Sequence, residues 1–355
     1  MKKRQWFISV ATAGTLAISG ISFTAPYNPS ELQTAQASEN VRVSYETFKE
    51  KTSTYDINLR YPQFNGLKDA AFEKKLNEEI ASWVDSRKQE IIKGSKEHPS
   101  PQGAPYALYI DATLQQTGDF HSVVFSNYEY TGGANGIQTV KSYNFLDADK
   151  GQMFTLPQIT SDREKINQLL QKAFKENPEN YFPEVVEKYE GIQDNQAFSL
   201  SDDYLTVYFS KYDVAPGVFG ANSIQLPRKD VPLVDAIASQ TTPPSNTGTS
   251  VEVLAAATSD DVVLSARDLA AAFGYSITWD QDLGIVTLEK GEDDILIQAR
   301  TKRYTINHFS SLQFSDPVMI DNHLYVPAEF AKKALGVKDV QFVNLTKSER
   351  AIVKK

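Results

Sequence analysis

Tyr55, Ile57, Leu59 and Tyr61 alternate with Asp56, Asn58 and Arg60, a period of two that predicts a half-buried strand. From Lys68 to Lys93 the period changes. Phe72, Leu76, Ile80, Trp83, Val84 and Ile91 recur at helical spacing across a charged background, which predicts a long amphipathic helix laid by one face on a sheet. Strand-like runs then follow at Tyr106 to Leu114, His121 to Tyr130 and Gln138 to Phe145, separated by glycine-bearing turns, and read as an antiparallel meander. Ser161-Asp162-Arg163-Glu164 reads as a capping box opening a second helix, whose apolar stripe is Ile166, Leu169, Leu170, Ala173 and Phe174 and whose end is Asn177-Pro178. Tyr204 to Phe209, rich in aromatic and β-branched residues, predicts a buried strand, with Ser223 to Pro227 as its short neighbour. Strands mixed with two long helices, without regular alternation, predict an α+β fold built on an antiparallel sheet.

A second pattern begins after Ala238 to Ser250, which holds Pro243-Pro244 and no large apolar residue and is therefore expected to be an exposed linker. Leu264-Ser265-Ala266-Arg267-Asp268-Leu269-Ala270-Ala271-Ala272-Phe273-Gly274 is echoed by Val326-Pro327-Ala328-Glu329-Phe330-Ala331-Lys332-Lys333-Ala334-Leu335-Gly336. Each copy enters a short helix from an extended apolar stretch and stops at a glycine. The first is followed by a hairpin turning near Asp280 to Gly284, the second by looser strands at Val340 to Val343 and Ala351 to Val353. A small α+β domain of two repeated units is expected. The organisation is thus a leader (1–37), a first α+β domain (38–237), a linker (238–250) and a second domain (251–355).

The leader is read from Met1-Lys2-Lys3-Arg4, the apolar stretch Trp6 to Phe23 and the exit Ala35-Gln36-Ala37, which together predict a secretory signal peptide cleaved after Ala37. Ser9, Thr12, Gly14, Thr15, Ser19 and Gly20 interrupt that stretch, so no stable membrane insertion is expected after cleavage; the alternative is an uncleaved anchor holding an envelope sensor. The chain has no cysteine, so no disulfide staples it, and hydrophobic burial must stabilise the fold. Its formal net charge of −9 disfavours nucleic acid and favours cationic partners.

Candidate chemistry is sparse. Only His98, His121, His308 and His323 are present, with no i, i+4 pair and no thiolate, so no metal or other cofactor is expected. His121, beside Asp119 and Ser122, reads as a surface histidine at a strand start, because adjacent strand residues face opposite ways and cannot form a triad. Asp147-Ala148-Asp149-Lys150-Gly151 opens like a calcium loop but lacks the further acidic residues, and reads as a hairpin turn. No catalytic residue is identified. Scattered carboxylates leave open an alternative reading, a cell-wall hydrolase or deacetylase using paired acids.

Two motifs look built for binding. In Tyr128-Glu129-Tyr130-Thr131-Gly132-Gly133-Ala134-Asn135-Gly136, aromatic strand residues run into glycines that permit close backbone approach. In Tyr212-Asp213-Val214-Ala215-Pro216-Gly217-Val218-Phe219-Gly220, a loop stiffened by proline carries aromatics at low ordering cost. The candidate binding residues are Tyr128, Tyr130, Gly132, Gly133, Asn135, Tyr212, Pro216 and Phe219, and Phe219 is expected to be an anchor that can be truncated without unfolding the chain.

With the strand Tyr204 to Phe209, these motifs resemble the outer domain of the RsiV-type anti-sigma factors and the non-catalytic part of PdaC-type peptidoglycan deacetylases, over about residues 41 to 235. The resemblance implies an envelope recognition domain; in the anti-sigma factors it binds lysozyme and so triggers proteolytic release of a sigma factor. Here Gly217 stands where the family usually has an aromatic after the proline, and Asn135 where it often has histidine. About five residues precede the apolar core, so no sigma-factor signalling is expected. Residues 251 to 355 are similar to the copper amine oxidase N-terminal-like modules of Gram-positive surfaces, on the two helix-glycine units and Trp279-Asp280. That resemblance implies an attachment module with no copper centre. The expectation for the whole is a secreted, non-enzymatic protein of a Gram-positive cell envelope that binds peptidoglycan or a cationic, lysozyme-like muramidase.

Overall fold

The computed structural model describes residues 41–100, 103–241, 250–257, 262–291, 293–299, 303–311, 314–321, 323–337, 339–343 and 350–354; the expected leader and most of the expected linker (242–249) lie outside the described residues. The chain begins with β1 (Arg42–Lys51), β2 (Tyr55–Asn65), α1 (Ala70–Glu97), β3 (Tyr106–Thr117), β4 (Phe120–Tyr130), β5 (Ile137–Leu146) and β6 (Gln152–Met153). These strands form one sheet in the order β1-β2-β3-β4-β5-β6. Every pair is antiparallel except β2 with β3, which is parallel because α1 carries the chain back across one face between them.

The two periods in the sequence account for this layer. Tyr55, Ile57 and Leu59 of β2 and Leu108 and Ile110 of β3 present one face, and Leu76, Ile80, Val84 and Ile91 of α1 bury themselves against it. Asp69 caps α1, accepting from the backbone N–H of Ala71 and Phe72 at 3.0 Å each. β1 has no buried position and is an exposed edge strand.

The chain continues with α2 (Leu156–Ile159), α3 (Arg163–Glu176), α4 (Pro183–Glu187), β7 (Phe198–Leu200), β8 (Tyr204–Phe209), β9 (Asn222–Pro227) and α5 (Asp235–Ala238). Ile166, Leu170 and Phe174 of α3 close over Phe198, Leu205, Val207, Phe209, Ile224 and Leu226, a second core. The cap of α3 is Asp162, whose carboxylate accepts from Lys165 N at 2.9 Å, not Ser161. Ser161 is drawn to Pro232 instead, its N–H donating to the Pro232 carbonyl at 2.8 Å, so the frame moves one residue on.

The last part comprises β10 (Ser250–Ala257), β11 (Val262–Ser265), α6 (Ala266–Phe273), β12 (Ser276–Asp280), β13 (Ile285–Lys290), β14 (Asp293–Gln298), β15 (Tyr304–Ile306), β16 (Phe309–Ser311), β17 (Val318–Ile320), β18 (His323–Pro327), α7 (Ala328–Leu335), β19 (Asp339–Val343) and β20 (Arg350–Lys354). One sheet here runs β17-β18-β11-β10-β20-β19. α6 and α7 each end on a glycine in the left-handed region, Gly274 and Gly336, and share one core with Val286, Leu288, Ile295, Ile297, Tyr304 and Phe314.

The third sheet crosses the boundary between the two parts. Its order is β12-β13-β14-β15-β16-β9-β8-β7, with β16 pairing in parallel to β9 through Ser310 with Asn222 and Ser311 with Ser223. Ala37–Lys355 is accordingly one compact unit, a mixed α+β structure with several sheets and few helices.

Candidate functional site

The two loops singled out in the sequence meet at one end of the first sheet. Lys211, which precedes Tyr212, donates from its backbone N–H to the Gln138 carbonyl at 2.8 Å and from Nζ to the Gly136 carbonyl at 2.8 Å. The Gln138 side chain completes the tie. Its Oε1 accepts from Ala221 N at 3.0 Å and its Nε2 donates to Ser126 Oγ at 3.1 Å. The turn after β4 and the loop after β8 are therefore one structural unit.

Glycines in this unit make room for rings. Tyr128 stacks on Tyr109 across the β3–β4 pair, with centroids 5.8 Å apart, and lies so close over Gly136 that a Cβ there would come within 2.3 Å of its ring. Tyr212 lies over Gly217 in the same way, at 2.2 Å. This explains why an aromatic does not follow Pro216: the ring of Tyr212 already fills that space. Tyr212 itself adopts φ 76° and remains 49% exposed. Gly133 and Asn135 are exposed, whereas Tyr130, Gly132 and Pro216 are half-buried.

Phe219, the expected anchor, is only partly accessible. It is half-buried against the core beneath α3, Arg303 lies 5.8 Å from its ring, and Ser310 Oγ donates to its carbonyl at 2.6 Å. The short 3-10 turn Gly217–Phe219 turns Phe219 inward and leaves Val218 outward, 68% exposed. With Ile137 at 44%, the exposed apolar members of the unit are Tyr212, Val218 and Ile137.

Gly220 ends the loop at φ 69° and ψ −150°, a region open essentially to glycine alone. Gly220→Ala is expected to lower the unfolding free energy by about 1–3 kcal/mol, since a Cβ there would also stand 2.8 Å from the Gln138 Oε1 that holds Ala221 N. Urea denaturation of the two proteins checks it.

An open groove of about 670 Å³ adjoins the loop. Val185, Tyr189, Phe209 and Val214 give it an apolar floor, and Glu184, Glu187, Glu190 and Asp213 set four carboxylates around a single ammonium, Lys188. Burial holds the Asp213 carboxyl above its ordinary range, while its Oδ2 accepts from Ser210 N at 2.7 Å. The three glutamates are exposed.

Other polar groups are engaged in holding the structure. The β15–β16 hairpin turns through Asn307 and His308, both at positive φ, and pushes His308 against Asp111 (Nε2 to Oδ2, 2.8 Å), which also takes Arg60 Nη1 at 2.6 Å. Asp294 stands 3.9 Å from the other ring nitrogen. In sequence, Asn307-His308 carries one signal of this turn, an asparagine opening a two-residue link between strands, and none of the pairing with Asp111.

His121 is not on the surface. It is 1% exposed, stacked on Phe145 at 5.1 Å, and burial lowers its pKa. Strand alternation puts it on the face that α1 covers, with Val123 and Phe125. Asp147 to Gly151 forms the turn between β5 and β6; Asp147 Oδ1 accepts from Lys68 N at 2.8 Å and the Gly151 N–H donates to Asp69 at 3.1 Å. Among the described residues no three His, Cys, Asp or Glu side chains converge in a way that could hold a metal ion, and no helix is long and apolar enough to cross a membrane.

Comparison with known proteins matches three family models along the chain: Deacetylase PdaC over residues 48–138, a protein family of unknown function (DUF3298) over 154–229, and Copper amine oxidase N-terminal domain over 246–348. Anti-sigma-V factor RsiV of Bacillus subtilis (strain 168) is 23% identical over 244 residues, covering 63% of this chain and 83% of RsiV. Peptidoglycan-N-acetylmuramic acid deacetylase PdaC of the same organism is 26% identical over 197 residues, 53% of this chain but only 40% of the deacetylase. Among solved structures, DUF3298 family proteins from Bacteroides fragilis NCTC 9343 (TM-score 0.40, 17% identity, 58% of this chain and 98% of that one) and Pseudomonas aeruginosa PAO1 (TM-score 0.42, 11% identity, 56% and 97%) are similar in part. The chain thus has the RsiV/PdaC-type domain architecture, a PdaC segment followed by a DUF3298 segment, continued by a copper amine oxidase N-terminal domain.

Proposed function

We propose that this chain is a non-enzymatic recognition protein of the cell envelope whose paired loops and adjoining groove bind a cationic, lysozyme-like muramidase. The observation that carries the reading is the joining, through Lys211 and Gln138, of two glycine-aromatic loops beside a groove with four carboxylates and one ammonium. Tyr212, Val218 and Ile137 supply apolar contact, and the glutamates supply attraction at a distance. Similarity to an anti-sigma factor and to a peptidoglycan deacetylase supports an envelope setting. The same acidic rim favours a basic protein over peptidoglycan, whose own carboxylates it would repel.

Titration of the secreted chain with a lysozyme-type muramidase in a calorimeter tests this. Binding is expected to weaken with added salt, and Tyr212→Ala is expected to lose about 10-fold in affinity at unchanged melting temperature, as for a moderate hot-spot aromatic. No heat of binding from the wild-type chain overturns the reading, and co-sedimentation with purified cell walls in its place would move the ligand to peptidoglycan.

A further inference from the structure

A second cavity, of about 270 Å³, lies where the C-terminal part covers the outer face of the β7–β8–β9 strands. Leu205, Val207, Phe209, Ile224 and Leu226 face the core beneath α3, so strand alternation turns Tyr204, Thr206, Tyr208, Ser223 and Gln225 the other way. An outer face this polar ordinarily meets water. Here it is roofed, and Ser199, Thr206 and Ser223 are 3%, 8% and 7% exposed. The opposite wall sets Tyr275, Asp293, Asn307 and Lys333 among the apolar side chains of Ile295, Ile306 and Leu335, so it offers a ring both polar groups and an apolar face.

The contrast with the neighbouring contact is informative. One strand away, Phe309 fills its part of the junction with apolar packing against Val124, Ala197 and Ala221 and a ring contact to Tyr208 at 4.7 Å. A junction built only to adhere would continue in that manner. Instead it opens over hydroxyls, phenols and amides, groups that both donate and accept. Of the two charged groups of the wall, Lys333 is neutralised by Glu329 at 2.7 Å, whereas Asp293 takes only neutral donors, among them Asn307 Nδ2 at 3.2 Å, so an anion is repelled and a neutral ligand bearing hydroxyl donors suits the wall. The volume falls just below the range of drug-sized sites and suits one ring, not a chain. Tyr208 is fixed by Phe309 and by its hydroxyl contact to Ser199 at 3.0 Å, so the floor is set before a ligand enters.

We propose that this cavity binds a single neutral polyhydroxylated ring, a monosaccharide unit, and that only the joined chain forms the site, since each part supplies one wall. The proposal is independent of the muramidase reading, because the site lies on different residues and its probe contains no protein. Saturation-transfer NMR and calorimetry of the secreted chain with N-acetylglucosamine are expected to show millimolar binding. Thr206→Val and Ser223→Ala, each deleting one hydroxyl at nearly constant shape, are each expected to weaken it about 2- to 10-fold, the loss from one hydrogen bond. The Ile80→Val change, in the core between α1 and the first sheet, none of whose members lines the cavity, serves as the control for a general loss of packing and is expected to leave the affinity unaltered. Absence of binding by the wild-type chain, or affinity unchanged in both hydroxyl variants, overturns the proposal and leaves the cavity a hydrated seam.

Discussion

Replacing Phe309 by alanine is expected to lower the unfolding free energy by about 3–5 kcal/mol, the cost of emptying a buried phenylalanine site. The residue belongs to the segment matched as a copper amine oxidase N-terminal domain, yet its ring is 2% exposed among Val124, Ala197, Tyr208 and Ala221 of the preceding segments. The cavity would lie at the seam between two separate cores, so the loss should fall on their coupling. Calorimetry is expected to show one transition in the wild type and two in Phe309→Ala. A single transition, or a loss below about 1 kcal/mol, would mean that the hairpin merely touches the neighbouring surface, since exposed aromatics cost about that little to truncate. The next residue, Ser310, holds the Phe219 carbonyl and pairs with β9, so the Tyr212 loop should loosen with it.

Removing the Asp111 carboxylate is expected to cost about 2–3 kcal/mol near pH 5.5, less than a fully buried ion pair because these side chains are about one-third exposed and solvent screens them. Asp111→Ala leaves both Arg60 and His308 without that partner. The same cluster predicts how stability follows pH. The hydrogen bond that His308 donates to Asp111, and then the charge of Asp294, raise the His308 pKa above 6.5 against burial and the charge of Arg60. A histidine raised in the folded chain contributes stability that is complete below its unfolded pKa and is lost as pH rises through the folded value. Burial opposes ionisation of Asp111, but the hydrogen bonds from His308 and Arg60 outweigh it and hold the carboxyl below 3.8, so its contribution is lost only as pH falls through that lowered value. Burial raises Asp294, which also faces Asp111 and Asp293, so its ionisation works against the junction as pH climbs, with His308 in opposition. The junction should therefore be strongest between about 3.8 and 6.5, the ordinary values of the two groups. Unfolding free energies from urea denaturation near pH 5.5 and near pH 9 are expected to differ by about 1 kcal/mol in the wild type and to converge in His308→Gln. Equal slopes in both proteins would exclude His308 as the titrating group.

Much of the first layer was legible because its two periods are clean. The β2 alternation, the α1 stripe and the β3–β4–β5 meander come directly from residue spacing, as does the stop of each short helix at Gly274 and Gly336. β1 was not legible, since an edge strand with no buried side chain carries charge where a central strand carries apolar residues. Nor was the burial of His121, because a polar residue at a strand start gives no sign of which face a distant helix will cover. The two glycine-aromatic loops were visible as motifs, but the ties that unite them rest on Lys211 and Gln138, residue types that spacing does not distinguish from any solvated position. The groove and the cavity depend on chain segments far apart in sequence, which no local pattern encodes.

The parallel pairing of β16 with β9 has a kinetic consequence. Asn222 must wait for Ser310, and a closure over so long a stretch of chain is slow compared with the hairpins on either side. As the polypeptide emerges from its amino end, the layer carrying Tyr212 can assemble early, but the Ser310 clasp that steadies its loop arrives only when the final third has been made and folded. That loop would then reach its final shape late in folding, after the layer that carries it is already in place.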